Sequence, residues 1–100
     1  MKTVVGFLAR PHGYNALSAL VESQNYKIIK LYTHKLNPKS QDLQRSIRAD
    51  YELFVKKCAD NSIPLISIDS KDHEITDFPE CDYIIEVSWR YIIPQNIINK

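Results

Sequence analysis

The segment Thr3 to Ala9 (TVVGFLA) is an uninterrupted apolar run rich in β-branched residues. Such a run fits a strand that is buried on both faces, and strands of that kind belong to parallel sheets covered on either side. The next four residues, Arg10-Pro11-His12-Gly13, carry the proline and glycine that break regular structure. From about Tyr14 to Gln24, Leu17, Leu20 and Val21 recur at helical spacing, with Asn15 a candidate cap.

The same alternation continues along the chain. Lys27 to Thr33 (KIIKLYT) reads as a second strand, and Asn37-Pro38-Lys39-Ser40 as a loop with Ser40 placed to cap a helix. Ile47, Tyr51, Phe54, Val55 and Cys58 share one helical face, which predicts a helix from the mid-40s to Asp60. Pro64 to Ile68 is the third strand, and Ser70 to Glu80 a polar connection with at most one helical turn. Asp82 to Val87 is the fourth strand. Pro94 opens a final helical turn whose Ile97 and Ile98 point inward.

This rhythm predicts one domain over residues 1–100: a Rossmann-like, doubly wound parallel sheet with helices over both faces in three α/β/α layers. Four strands are few for that architecture, and the closing turn reads as the start of a further helix. The expectation is therefore an incomplete, N-terminal part of a larger fold.

Composition narrows the function classes. Thirteen basic and twelve acidic side chains give a formal charge of +1, without the basic excess of a phosphate-tracking nucleic-acid binder. No apolar stretch approaches the ~20 residues of a membrane span, and the N-terminus lacks the features of a signal peptide. A soluble, cytoplasmic protein is expected. Two cysteines are too few for a disulfide framework. Cys58 falls on the inward helix face, and Cys81 lies between Glu80 and Asp82, whose charges raise a thiol pKa. His12, His34 and His73 sit in separate loops without metal-ligand spacing.

In open α/β sheets ligands bind at the carboxyl ends of the strands. The segments there are Arg10–Tyr14, His34–Ser40, Asp69–Asp72 and Ser88–Pro94. Neither G-x-G-x-x-G nor a P-loop is present. Arg10, His12 and Gly13 bring a cation, an imidazole and backbone N–H groups to a helix start, which suits an anion; the same residues also suit a plain connecting turn. Ser88-Trp89-Arg90-Tyr91-Ile92 offers aromatic walls and main-chain groups to a planar ligand. The alternative is that Trp89 and Tyr91 cover the sheet edge while Arg90 forms a surface ion pair.

Asp82-Tyr-Ile-Ile-Glu-Val-Ser-Trp-Arg-Tyr-Ile-Ile-Pro94 with Asn96-Ile-Ile98, together with the element order, resembles the folate-dependent formyltransferases. These act on methionyl-tRNA, glycinamide ribonucleotide or amino sugars. Leu31-Tyr32-Thr33-His34 with Asn37-Pro38, and Asn61-Ser62-Ile63-Pro64-Leu65, resemble the sugar branch. The resemblance implies 10-formyltetrahydrofolate as formyl donor, with its pterin-like ring against the main chain of Ser88, Trp89, Arg90, Tyr91 and Ile92. A small-molecule amine substrate would face Arg10, His12, Gly13 and Tyr14, and a nucleotide-linked amino sugar fits that description. The family's catalytic Asn-x-His triplet does not occur in these 100 residues, and its catalytic Asp lies beyond that triplet. No catalytic residue carries over, so formyl transfer by this chain alone is not expected. Two rivals stand beside this reading. One is a non-catalytic binding or oligomerisation module that pairs through an exposed sheet edge. The other is a flavodoxin-like nucleotide binder, which the glycine-poor first loop disfavours.

Overall fold

The computed structural model describes residues 1–38, 42–91, 93 and 97. Ser40, Ile92, Pro94 and Ile98, singled out in the sequence, lie outside the described residues. The elements are β1 (Lys2–Leu8), α1 (Arg10–Glu22), β2 (Tyr26–Thr33), α2 (Tyr51–Asp60), β3 (Leu65–Ser67) and β4 (Tyr83–Val87). The four strands form one sheet in the order β3-β2-β1-β4, with every pairing parallel. The α/β class and its parallel sheet are as the sequence predicts. No helix among the described residues is long and apolar enough to cross a membrane.

β1 lies between β2 and β4, and its Val4, Val5, Phe7 and Leu8 are fully buried. Its side chains alternate between two cores. Leu8 joins Leu17 of α1, Phe54 and Cys58 of α2, and Ile28, Leu31 and Ile63. Val5 and Phe7 join Tyr32, Ile68, Phe78, Ile93 and Ile97 on the opposite face. Both helices therefore cover one face. On the second face the described residues are the connection from β3 to β4, Ile93 and the helical Ile97. That connection is mostly polar and supplies few apolar residues besides Ile75 and Phe78, too few for a helical stripe. Phe7, Tyr32 and Phe78 stack nearly parallel, with Phe7 and Tyr32 centroids 4.8 Å apart.

A register shift separates Val4, opposite Ile28, from Val5, opposite Lys30. The extra residue breaks strict alternation, so Ile28 and Leu31, three apart, both meet the helical face. At the amino end of the sheet, Thr3 and Asp82 clamp β1 to the start of β4. Thr3 donates its N–H (2.8 Å) and its hydroxyl (3.1 Å) to the Asp82 carboxylate, and Asp82 returns its own N–H to Thr3 Oγ1 (3.0 Å). These bonds hold the Asp82 carboxyl below the ordinary range.

Both helix starts differ from the expectation. α1 begins at Arg10, four residues before Tyr14, and Asn15 is not its cap; the cap position is Ala9, which makes no side-chain bond. Proline fits the first turn because the N–H it lacks has no intrahelical partner there. Gly13 fits because α1 presses on β1: a Cβ at Gly13 would lie 3.0 Å from the Leu8 carbonyl carbon. α2 begins at Tyr51 rather than in the mid-40s. Before it, the Asp42 carboxylate accepts N–H groups from Gln44 and Ser46 and the Ser46 hydroxyl, and Arg45 has φ 50°. Such local bonds offer the backbone an alternative to the helix. Ile47 is consequently 54% exposed and sits in an antiparallel bridge with Leu36. Cys58 is buried, and burial pushes its thiol up to about 11. Burial, followed by the charge of Asp82, also raises Cys81.

Gly13→Ala separates propensity from packing. Helix propensity alone favours alanine by about 1 kcal/mol. The new methyl group meets backbone that cannot rotate away, so the variant is expected to be less stable by about 1–3 kcal/mol in urea denaturation.

Candidate functional site

From β1 the chain runs through β2 to β3 on one side of β1, and β4 then lies on the other side, so the strand order reverses at β1. That reversal is where open α/β sheets hold ligands. The N–H of Ala9 donates to Val87 O (3.1 Å), tying together the two chain ends that flank the reversal. Immediately beyond this bond both chains turn through left-handed backbone, at Arg10 (φ 64°) and Ser88 (φ 56°). Side chains with a Cβ rarely adopt that region, and strained residues of this kind gather at functional sites.

Between these turns lies a cavity of about 390 Å³. It is lined by Ala9 and Arg10 after β1, His34, Pro38 and Arg48 from the segment between β2 and α2, and Ser88, Trp89 and Arg90 after β4. Arg48 is paired with Asp50 (3.1 Å). Arg90 donates through Nη2 to Leu36 O (3.0 Å), while its buried Nη1 has no hydrogen-bond partner among the described residues. Neither Arg10 nor Arg90 has a carboxylate within ion-pair distance among the described residues. The cavity is therefore positive and would favour a ligand that carries an anionic group. A second hollow of about 400 Å³ runs along the outer edge of β4, beside Phe78, Ile84 and Ile93. Asp82 and Glu86 also line it, and it reaches the amino end of β4 rather than the carboxyl ends of the strands, so it lacks the features that mark the first.

The wall of the cavity is organised by His34, at the end of β2 and 3% exposed. Its Nδ1 lies 2.6 Å from Ile68 O, and its Nε2 accepts the N–H of Arg90 (3.1 Å). A carbonyl only accepts and a backbone N–H only donates, so the ring is the neutral tautomer with its proton on Nδ1. The imidazole stacks on Trp89 (4.1 Å between centroids) and meets Tyr91 edge-on. Trp89 in turn meets Phe7 edge-on, joining the site to the core. Burial lowers the His34 pKa to about 4, against the raising effect of its bond to Ile68. The loop after His34 is braced by Asp69, whose Oδ1 accepts the N–H groups of Lys35 (3.0 Å) and Leu36 (2.8 Å). Arg45 adds a bond to Asp69 O (2.6 Å).

Of the residues singled out in the sequence, Arg10, Ser88, Trp89 and Arg90 come together around the cavity. Tyr91 stands behind it against His34, and Ile92 lies outside the described residues. His12 is exposed on the first turn of α1 and does not line the cavity. Gly13 is buried, and its N–H is donated to Ala9 O rather than left free. Tyr14 packs edge-on against Phe54, in the helical core. The Arg90 N–H is also spent within the protein, on His34, so it is not offered to a ligand. His34 was the residue that spacing could not find: a lone histidine after an apolar strand carries no periodic sign that it is buried.

Two outcomes are expected. Ser88→Gly relieves the left-handed strain and raises stability by about 1 kcal/mol, read as a gain of roughly 4–8 °C in Tm. For His34 the unfolded chain holds its proton up to the ordinary value of 6.5, whereas the folded chain releases it above about 4. Between these values the unfolded state binds more protons. Stability therefore rises with pH across that window, by at most about 1.4 kcal/mol per unit, and this contribution is level above it. Urea denaturation at several pH values tests this, and His34→Phe should flatten the slope. In comparisons with known proteins, the chain matches no protein-family model and no curated protein sequence.

Proposed function

We propose that the chain contributes the donor-binding wall of a formyltransferase-like domain, in which 10-formyltetrahydrofolate gives its formyl group to a primary amine. The observation that carries this reading is the Ser88–Arg90 loop, turned by left-handed Ser88 and walling a positive cavity where the strand order reverses. The sequence segment that resembles the formyltransferases falls on β4 and on that loop. At about 390 Å³ the cavity is at the small end of the range for ligand sites, room for one end of a folate. Arg10 and Arg90 suit an anionic group of donor or acceptor, and the main chain beside Ser88 suits the edge of a planar ring.

Formyl transfer needs attack by the amine on the formyl carbon and donors that hold the oxyanion formed there. It also needs a group that takes the amine proton. His34 does not serve that step, because both its ring nitrogens are engaged and its basicity is low. The resemblance assigns these roles to an Asn-x-His triplet and an Asp that the 100 residues do not include.

Trp89 is the single tryptophan, so its emission reports on the cavity. Titration with the stable analogue 5-formyltetrahydrofolate is expected to change that emission saturably, at micromolar to low millimolar concentration. Arg10→Ala should weaken binding about tenfold, roughly 1.4 kcal/mol, while Lys56→Ala on the exposed face of α2 should leave it unchanged. No response at millimolar ligand, by fluorescence or calorimetry, would sink the proposal.

The outer edge of β4 has no strand neighbour among the described residues, which supports a second reading: a module that pairs with another copy through this edge. Sedimentation separates the two. The second reading requires a concentration-dependent dimer whether or not folate binds.

A further inference from the structure

A buried imidazole whose two nitrogens are both engaged can neither take a substrate proton nor hold a metal. Yet His34 sits where the ends of three strands meet the cavity. It follows β2, bonds to Ile68 just beyond β3, and accepts from Arg90 in the loop after β4. It also stacks on Trp89 of that loop. We propose that His34 is a positioning residue: its neutral Nδ1–H form latches the Ser88–Tyr91 loop to the other strand ends and sets the cavity wall, so that ligand binds only while the latch is closed.

The chemistry gives the latch a sign. A second proton on His34 would set an N–H against the N–H of Arg90, so the imidazolium cannot keep the loop bond. The charged groups that face the ring are Arg90 from the β4 loop, Arg48 ahead of α2, and Asp69 after β3. The two guanidinium groups oppose the imidazolium. Asp69 favours it, and its Oδ1 is already engaged by the amides of Lys35 and Leu36. With burial added, the latch stays closed at neutral pH and opens only in acid. The ligand part of this inference rests on the function proposed above; the latch itself does not.

The first test therefore uses no ligand. His34→Asn keeps a donor for Ile68 O but loses the acceptor for Arg90, whereas His34→Gln reaches far enough to accept the Arg90 N–H. With folding verified by far-UV circular dichroism, acrylamide quenching of Trp89 at neutral pH is expected to rise several-fold in His34→Asn. It should return towards the native value in His34→Gln. Equal shielding in the native chain and in His34→Asn would overturn the latch, as would a Gln variant no better shielded than the Asn one. If the Asn variant does not fold, acidification of the native chain decides. Trp89 should lose shielding in a one-proton step well below the ordinary histidine value, with the far-UV signal unchanged; a flat profile or a midpoint at the ordinary value would overturn it. The second test measures 5-formyltetrahydrofolate affinity, expected to fall about tenfold in His34→Asn and to recover in His34→Gln. A native chain that binds no folate removes the donor reading but leaves the shielding result to judge the latch.

Discussion

Everything in this molecule hangs on the burial of one strand from four directions. β1 is flanked by β2 and β4 in the sheet, and by a separate apolar core on each face. Its Val4, Val5, Phe7 and Leu8 have no exposed surface, and each removes roughly 1.5–3 kcal/mol of apolar side chain from water. A strand so enclosed has no freedom to slip, because a one-residue shift would exchange its two cores. The fixed end of β1 is therefore a fixed point from which the site can be built.

The site inherits its order from that point. Phe7 in the core meets Trp89 edge-on, Trp89 stacks on His34, and His34 holds the backbone of Arg90. Arg10 and Ser88, in unfavourable backbone conformations, persist because the strands beside them are held so firmly. Strain here is local, and the stability that tolerates it is distributed through the sheet.

Much of this was legible in the sequence, for reasons that differ by element. Thr3–Ala9 announced itself because a strand buried on both faces needs no alternation. The four strands and the class followed, since apolar runs and helical spacing are strong signals. The helix starts depart from the sequence pattern where a single contact outweighs propensity. Gly13 looks like a breaker until Leu8 is seen pressing on it, and Ile47 looks inward until the bonds around Asp42 are seen to hold the chain out of the helix. In the site, Ser88, Trp89 and Arg90 stood out as an unusual cluster after a strand. His34 did not, because its importance lies in partners 34 and 56 residues away.

The clamp between Thr3 and Asp82 joins residues 79 apart in sequence. Closing so long a loop is slow and entropically costly compared with the neighbouring pairings of β1 with β2 and β2 with β3. β4 is thus the strand expected to dock last during folding and to leave first during unfolding. The cavity spans this seam, with Arg10 on the early side and Ser88 on the late one. A ligand bridging it would act on the lifetime of the native state more than on the speed of reaching it, and a chain still emerging from the ribosome would have nothing to bind with.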